Sequence, residues 1–213
     1  MVRERPKHVV VVAGSAGSLT PLKAILAAVP PDGDAAVIVV VTRPGAPPGE
    51  LRDTLAVVTR SPIEDAHDGQ PLLAGTIYVV SDGADRVSID ETRTLRSLPA
   101  SVLTLSRPPA EPLLASAANA FGDRSMGVVL SGLAQNGGEA GLVAIKRAGG
   151  ETLVQAPREA EYPAMPLHAL MAANPRFCTG SGETMFTGPE SCGLVSACRI
   201  APIASSIAIQ LMY

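Results

Sequence analysis

Four β-branched residues in a row, Val9-Val10-Val11-Val12, run without a polar break into Ala13-Gly14-Ser15-Ala16-Gly17-Ser18. A strand that never alternates with polar residues has no face to give to water, so it belongs inside a sheet covered on both sides, as parallel sheets are. The small residues that follow predict a tight turn. Leu19, Leu22, Ile25, Leu26 and Val29 then recur at helical spacing up to Pro30-Pro31, which completes a strand–turn–helix unit.

The pattern repeats along the chain. Residues 36–41 read as a second buried strand, 42–49 as a Pro-rich loop and 50–58 as a short helix with Leu51 and Leu55 inward. Residues 76–80 and 86–89 read as two strands joined by the Asp82-Gly83 turn, an inserted β-hairpin. Beyond it, 108–121 predicts a helix with Leu113, Leu114 and Ala117 on one face, 126–130 a strand, 140–148 a helix, 152–154 a strand and 165–171 a helix. This alternation predicts an α/β fold: a doubly wound, mostly parallel sheet with helices on both faces. Residues 8–175 form one domain, and 176–213 are a divergent C-terminal segment to which periodicity assigns no structure.

Composition narrows the function. Hydrophobic residues are 46% and charged residues 17%, enough for a core and too little charge for a disordered chain. With 17 Lys and Arg against 20 Asp and Glu, nothing draws the chain to nucleic acid or to an anionic membrane. Aromatic residues are 3% with no Trp, so stacking platforms for bases or sugars are missing. Cys178, Cys192 and Cys198 are an odd number at no zinc spacing and read as reduced thiols; no metal and no cofactor is expected. The charged N-terminus lacks a signal-peptide pattern, and no apolar run reaches the ~18 residues of a membrane span. A cytoplasmic protein without membrane insertion is therefore expected.

In open parallel sheets ligands bind beyond the carboxyl ends of the strands, which singles out loops 13–18, 42–49, 131–138 and 155–166. The first is one residue away from the Gly-x-Ser-x-Gly nucleophile elbow, with Ala13 in place of the first glycine. Small residues on either side of Ser15 let the chain turn sharply, present the hydroxyl, and aim helix N-terminal amides at an oxyanion. The same residues also fit a plain strand-to-helix turn with Ser15 or Ser18 as helix N-cap. A phosphate cradle fits less well: Gly14 and Gly17 do not match Gly-x-Gly-x-x-Gly, and no Gly-Lys-Ser/Thr occurs.

Taken in order, the loops resemble the catalytic domain of the chemotaxis protein-glutamate methylesterases, the CheB type. The motifs are Ala13-Gly14-Ser15-Ala16-Gly17-Ser18, Pro47-Pro48-Gly49, His67-Asp68-Gly69 with residues 72–80, Arg107-Pro108-Pro109-Ala110-Glu111, and Gly127-Val128-Val129-Leu130-Ser131-Gly132-Leu133-Ala134-Gln135-Asn136-Gly137. Ala148-Gly149-Gly150, Gln155 and Met165-Pro166 follow in register. The resemblance covers residues 8–175 and implies hydrolysis of methyl esters on receptor glutamates, and deamidation of receptor glutamines, by a serine–histidine–aspartate triad.

Carried over residue by residue, Ser15 takes the nucleophile position, and the backbone amides of Ala16 and Leu133 take the oxyanion hole. Arg43 stands at the histidine position, with Gly45 the other match, and Asn136 stands at the aspartate position. A guanidinium has no lone pair with which to take a proton, and an asparagine brings no charge to orient and stabilise an imidazolium. The expectation is a degenerate triad: a methylesterase-like domain, weakened or inactive, serving as a binding or regulatory module for a methylated chemoreceptor or another signalling protein. Two alternatives stay open: an active serine hydrolase with a substitute base, His168 before His8 and His67, and a nucleotide-binding α/β domain. Asp68 and Glu139 read as solvated-loop carboxylates. The receiver domain that usually precedes the esterase domain in this family has no counterpart in this sequence, so control by a separate protein, or no such control, is expected.

Overall fold

The computed structural model describes residues 3–43, 47, 49–80, 86–98, 110–133, 137–175, 177–179 and 184–186. In chain order the first elements are β1 (His8–Gly14), α1 (Leu19–Ala27), β2 (Ala35–Val41), α2 (Glu50–Ala56), β3 (Ile63–Asp65), β4 (Ile77–Val80), β5 (Arg86–Ile89) and β6 (Leu95–Leu98). They are followed by α3 (Ala110–Phe121), β7 (Ser125–Val129), α4 (Glu139–Arg147), β8 (Glu151–Gln155), α5 (Ala164–Ala173), β9 (Phe177–Thr179) and β10 (Thr184–Phe186).

The valine run lies at the centre of the sheet. Its strand order is β10-β9-β8-β7-β1-β2-β4-β3, all parallel except for the antiparallel β10 at one edge. Because successive side chains of a strand point to opposite faces, β1 feeds two cores at once. Val9, Val11 and Ala13 pack with α3, α4 and α5, while Val10 and Val12 pack with Leu22, Ile25 and Leu26 of α1 and Leu51 and Leu55 of α2. Helices thus cover both faces, as the unbroken apolar strands require.

One expected pairing is corrected. Residues 77–80 and 86–89 do not form a hairpin with each other. β4 lies beside β2 in the main sheet, with all four residues buried, whereas β5 pairs antiparallel with β6 in a separate two-stranded sheet. The difference is physical: Ile77-Tyr78-Val79-Val80 has the continuous apolar character of a doubly covered strand, and β5 buries only alternate residues. The turn that closes β5 onto β6 is held by Asp90, whose Oδ1 accepts from the backbone N–H groups of Thr92 and Thr94. Beyond α5 the sheet continues, since β9 adds in parallel to β8. Among the described residues no helix is long and apolar enough to cross a membrane.

Candidate active site

The chain enters the sheet at β1, builds outward through β2 and β4, then returns to the other side of β1 with β7. That reversal makes the carboxyl ends of β1, β2 and β7 a topological switch point, the position at which open α/β sheets hold their ligand crevice. Backbone bonds fasten the three ends together. Thr42 N–H donates to Gly14 at 3.1 Å, Leu130 N–H to Ala13 at 2.9 Å, and Ser15 N–H to Ser131 at 2.9 Å. Ser15 therefore has a fixed backbone position, and it is only half-buried.

Its hydroxyl is committed elsewhere than to a base. Ser15 Oγ donates to the carbonyl oxygen of Thr42 at 3.2 Å. A carbonyl accepts a hydrogen bond but does not carry a proton away, so this contact orients the serine without activating it. Ser15 is not the helix cap either. Ser18 occupies the N-cap position of α1, makes no side-chain cap bond, and instead donates its Oγ back to the Ser15 carbonyl at 2.6 Å. Of the two serines it is Ser18 that closes the turn, leaving Ser15 to present its side chain.

Arg43 follows Thr42 directly. Its Nη2 donates to Oε1 of Glu50, the first residue of α2, at 2.8 Å. The loop cation expected from the sequence is thus half of an ion pair, with the arginine side chain 24% and the glutamate 42% exposed. Asn136, Gly45 and the Asp82-Gly83 turn lie outside the described residues, as do Cys192 and Cys198.

Residues 131–133, which follow β7, form the second wall, and the contacts that hold them join residues far apart in the sequence. Ser131 is fully buried: its N–H donates to Gln155 Oε1 at 2.8 Å, and its Oγ donates to Ala16 O at 2.8 Å and accepts from Tyr162 N–H at 3.0 Å. Gly132 N–H donates to Tyr162 O at 3.0 Å, and Met165 N–H donates to Gly132 O at 3.1 Å. A methyl built on Gly132 would lie 2.5 Å from Met165 Sδ and 3.0 Å from Ser15 Cβ, so the loop passes against the serine at a distance only glycine allows. Among the described residues nothing accepts from the N–H groups of Ala16 or Leu133. Both are backbone donors in the segments that flank Ser15, and Leu133 is 62% exposed.

His168 lies on α5, three residues beyond Met165, and faces α4 rather than Ser15 in its recorded polar contact. Its Nδ1 is 3.9 Å from Oε1 of Glu139. Glu139 is itself corrected by the structure: it is the first residue of α4 with a side chain only 13% exposed, not a solvated-loop carboxylate. Asp68 is exposed, and its Oδ1 accepts from Ser97 N–H at 2.8 Å, tying the loop after β3 to β6.

The CheB methylesterase family model matches residues 10–179. A protein-glutamate methylesterase/protein-glutamine glutaminase of Anaeromyxobacter dehalogenans is 36% identical over 148 residues, a match covering 70% of this chain and 42% of that protein. One from Oleidesulfovibrio alaskensis is 29% identical over 163 residues, covering 75% of this chain and 44% of the relative. The chain therefore spans less than half the length of these curated relatives. A Leptospira interrogans relative is nearer in length: 28% identity over 165 residues covers 78% of this chain and 84% of that one. Among solved structures, the crystal structure of the Thermotoga maritima CheB methylesterase catalytic domain superposes with a TM-score of 0.74 at 17% identity, covering 95% of this chain and 97% of that one. At that identity the likeness establishes the α/β fold.

Proposed function

The chain belongs to the CheB methylesterase family, and from that premise we propose that it keeps the family's esterase scaffold as a binding module for glutamyl side chains of a signalling partner, with little or no turnover at Ser15. One observation carries the reading: the Ser15 hydroxyl donates to the Thr42 carbonyl, and the next residue is an arginine paired to Glu50. Nothing in that arrangement removes the hydroxyl proton as the oxygen attacks a carbonyl carbon.

What supports a binding role is the part of the site that needs no special side chain. The donors at Ala16 and Leu133 flank Ser15 and have no described acceptor, the arrangement that suits the carbonyl oxygen of an ester or amide. A bound glutamyl methyl ester would accept from these amides while its carbonyl carbon faced Ser15 Oγ. In triad hydrolases, loss of the triad leaves about 10³–10⁴ of rate enhancement over water from such donors and from binding, out of a total about 10⁶ larger. The receptor or signalling protein that supplies the glutamyl group is expected to be a chemoreceptor, as the family membership implies.

The test measures binding of a glutamyl methyl ester peptide by calorimetry alongside initial rates of methanol release. Saturable binding with no rate above that of Ser15→Ala supports the module. Methanol release that vanishes in Ser15→Ala makes the protein an esterase with a base of its own.

A further inference from the structure

The loop between β7 and α4 is fastened at its start by Ser131 and Gly132, and what fastens its end is a residue from another helix. Gly138, the N-cap residue of α4, has φ of 130° and no side chain with which to cap the helix. A helix start lacking its own cap leaves backbone N–H groups without partners. Glu111, in the first turn of α3, fills that role. Its Oε2 accepts from Gly141 N–H at 2.7 Å and its Oε1 from Ala140 N–H at 3.2 Å.

The reach depends on close helix packing. Gly141 lies so near Leu114 that a Cβ there would overlap it, and Leu114 is one turn beyond Glu111 on the same face of α3. The glycine brings the two helices together, and the carboxylate one turn earlier then falls over the start of α4, where the helix dipole favours negative charge.

We propose that Glu111 is a positioning residue for the Ser15 site: by capping α4 from α3 it fixes the far end of the loop that carries the Leu133 amide and passes against Ser15 at Gly132. The inference rests on the reading of the Ser15 crevice as a ligand site. Burial pushes the Glu111 carboxyl above its ordinary value, and the Glu139 carboxylate adds to that, despite the opposing pull of the Gly141 and Ala140 amides.

The test compares the parent with Glu111→Ala and Glu111→Gln by amide hydrogen exchange, thermal melting and the Kd for a glutamyl methyl ester peptide. In Glu111→Ala, exchange at Ala140 and Gly141 rises about tenfold, the size expected for loss of a helix cap, while exchange in β1 and β2 is unchanged. Peptide binding weakens by a similar factor, and Glu111→Gln, whose single oxygen can replace only one of the two carboxylate acceptors, recovers part of both effects. Unchanged exchange at those two amides overturns the clamp, and so does faster exchange with undiminished binding. A rise in exchange spread over the whole sheet in both variants also overturns it, because that is the signature of a merely structural residue. If the parent itself binds no peptide, the reading of the Ser15 crevice fails, and the exchange data still decide whether Glu111 clamps the loop.

Discussion

Arg43 Nη2 and Glu50 Oε1 are 2.8 Å apart, so the residue that directly follows Thr42, the acceptor of the Ser15 hydroxyl, is tied to the first turn of α2. The pair is partly exposed, and surface pairs of this kind contribute on the order of 0–1 kcal/mol. Its importance is chemical: the position holds a permanent donor.

Breaking the pair alone does not restore chemistry. Glu50→Gln leaves the guanidinium in place, so the rate of ester hydrolysis stays at the level of Ser15→Ala, and stability measured by urea denaturation changes by less than about 1 kcal/mol. A Ser15-dependent rate appearing in Glu50→Gln would show that the ion pair, rather than the missing base, silences the serine.

The close pass of the β7–α4 loop predicts a steric effect at Gly132. Gly132→Ala forces its methyl onto Met165 Sδ and toward Ser15 Cβ. The expected cost is about 1–3 kcal/mol of overpacking, read as a lower denaturation midpoint. Adding Met165→Ala removes one of the two obstacles, so a double-mutant cycle gives a coupling of at least ~0.5 kcal/mol between the two positions.

Buried hydrogen bonding makes Ser131 a stronger structural residue than its surface-loop sequence suggests. Ser131→Ala strips the Tyr162 N–H of its acceptor and the Ala16 carbonyl of its donor in a fully buried position. The loss is expected at about 1–3 kcal/mol by denaturant titration, with weaker ester-peptide binding because Ala16 loses its tether.

Acid stability has a local contributor in the β5–β6 turn. The Asp90 carboxyl is held down to about 2, chiefly by the Thr92 hydroxyl; burial opposes this, and Arg96 and the amides of Thr94 and Thr92 add smaller lowering effects. A depressed carboxylate adds stability above its ordinary range and loses it as pH falls through the folded value. Between pH ~4 and ~2 the parent therefore loses a contribution that Asp90→Asn never has, and the pH slope of the variant's melting temperature is shallower over that window. Equal slopes refute the assignment.

Much of this molecule is legible in its sequence, because the signals are local. The unbroken valines of β1 and the small residues at 13–18 specify a buried strand and a sharp turn with no help from the rest of the chain, and the Ser15 position follows. The pairing of β4 and β5 is not legible in the same way. A turn signal at Asp82-Gly83 competes with the continuous apolar run of Ile77-Tyr78-Val79-Val80, and the run decides, because a strand buried on both faces gains more from the middle of the sheet than from a two-stranded ribbon. β3 and β9, three residues each, are too short to show a period. Ser131, Gln155 and Glu111 stand in the sequence motifs, but their contacts do not: Gln155 is 24 residues from Ser131, and Glu111 is 30 from Gly141, so only the fold reveals what they hold.

The central claim is that Ser15 has lost its base while the scaffold around it remains. The most direct measurement is the initial rate of methanol release from a glutamyl methyl ester peptide by the parent, by Ser15→Ala, and by Arg43→His combined with Asn136→Asp. The account predicts equal rates for the first two and a Ser15-dependent rate that emerges only in the double change. A parent rate that disappears in Ser15→Ala would contradict it.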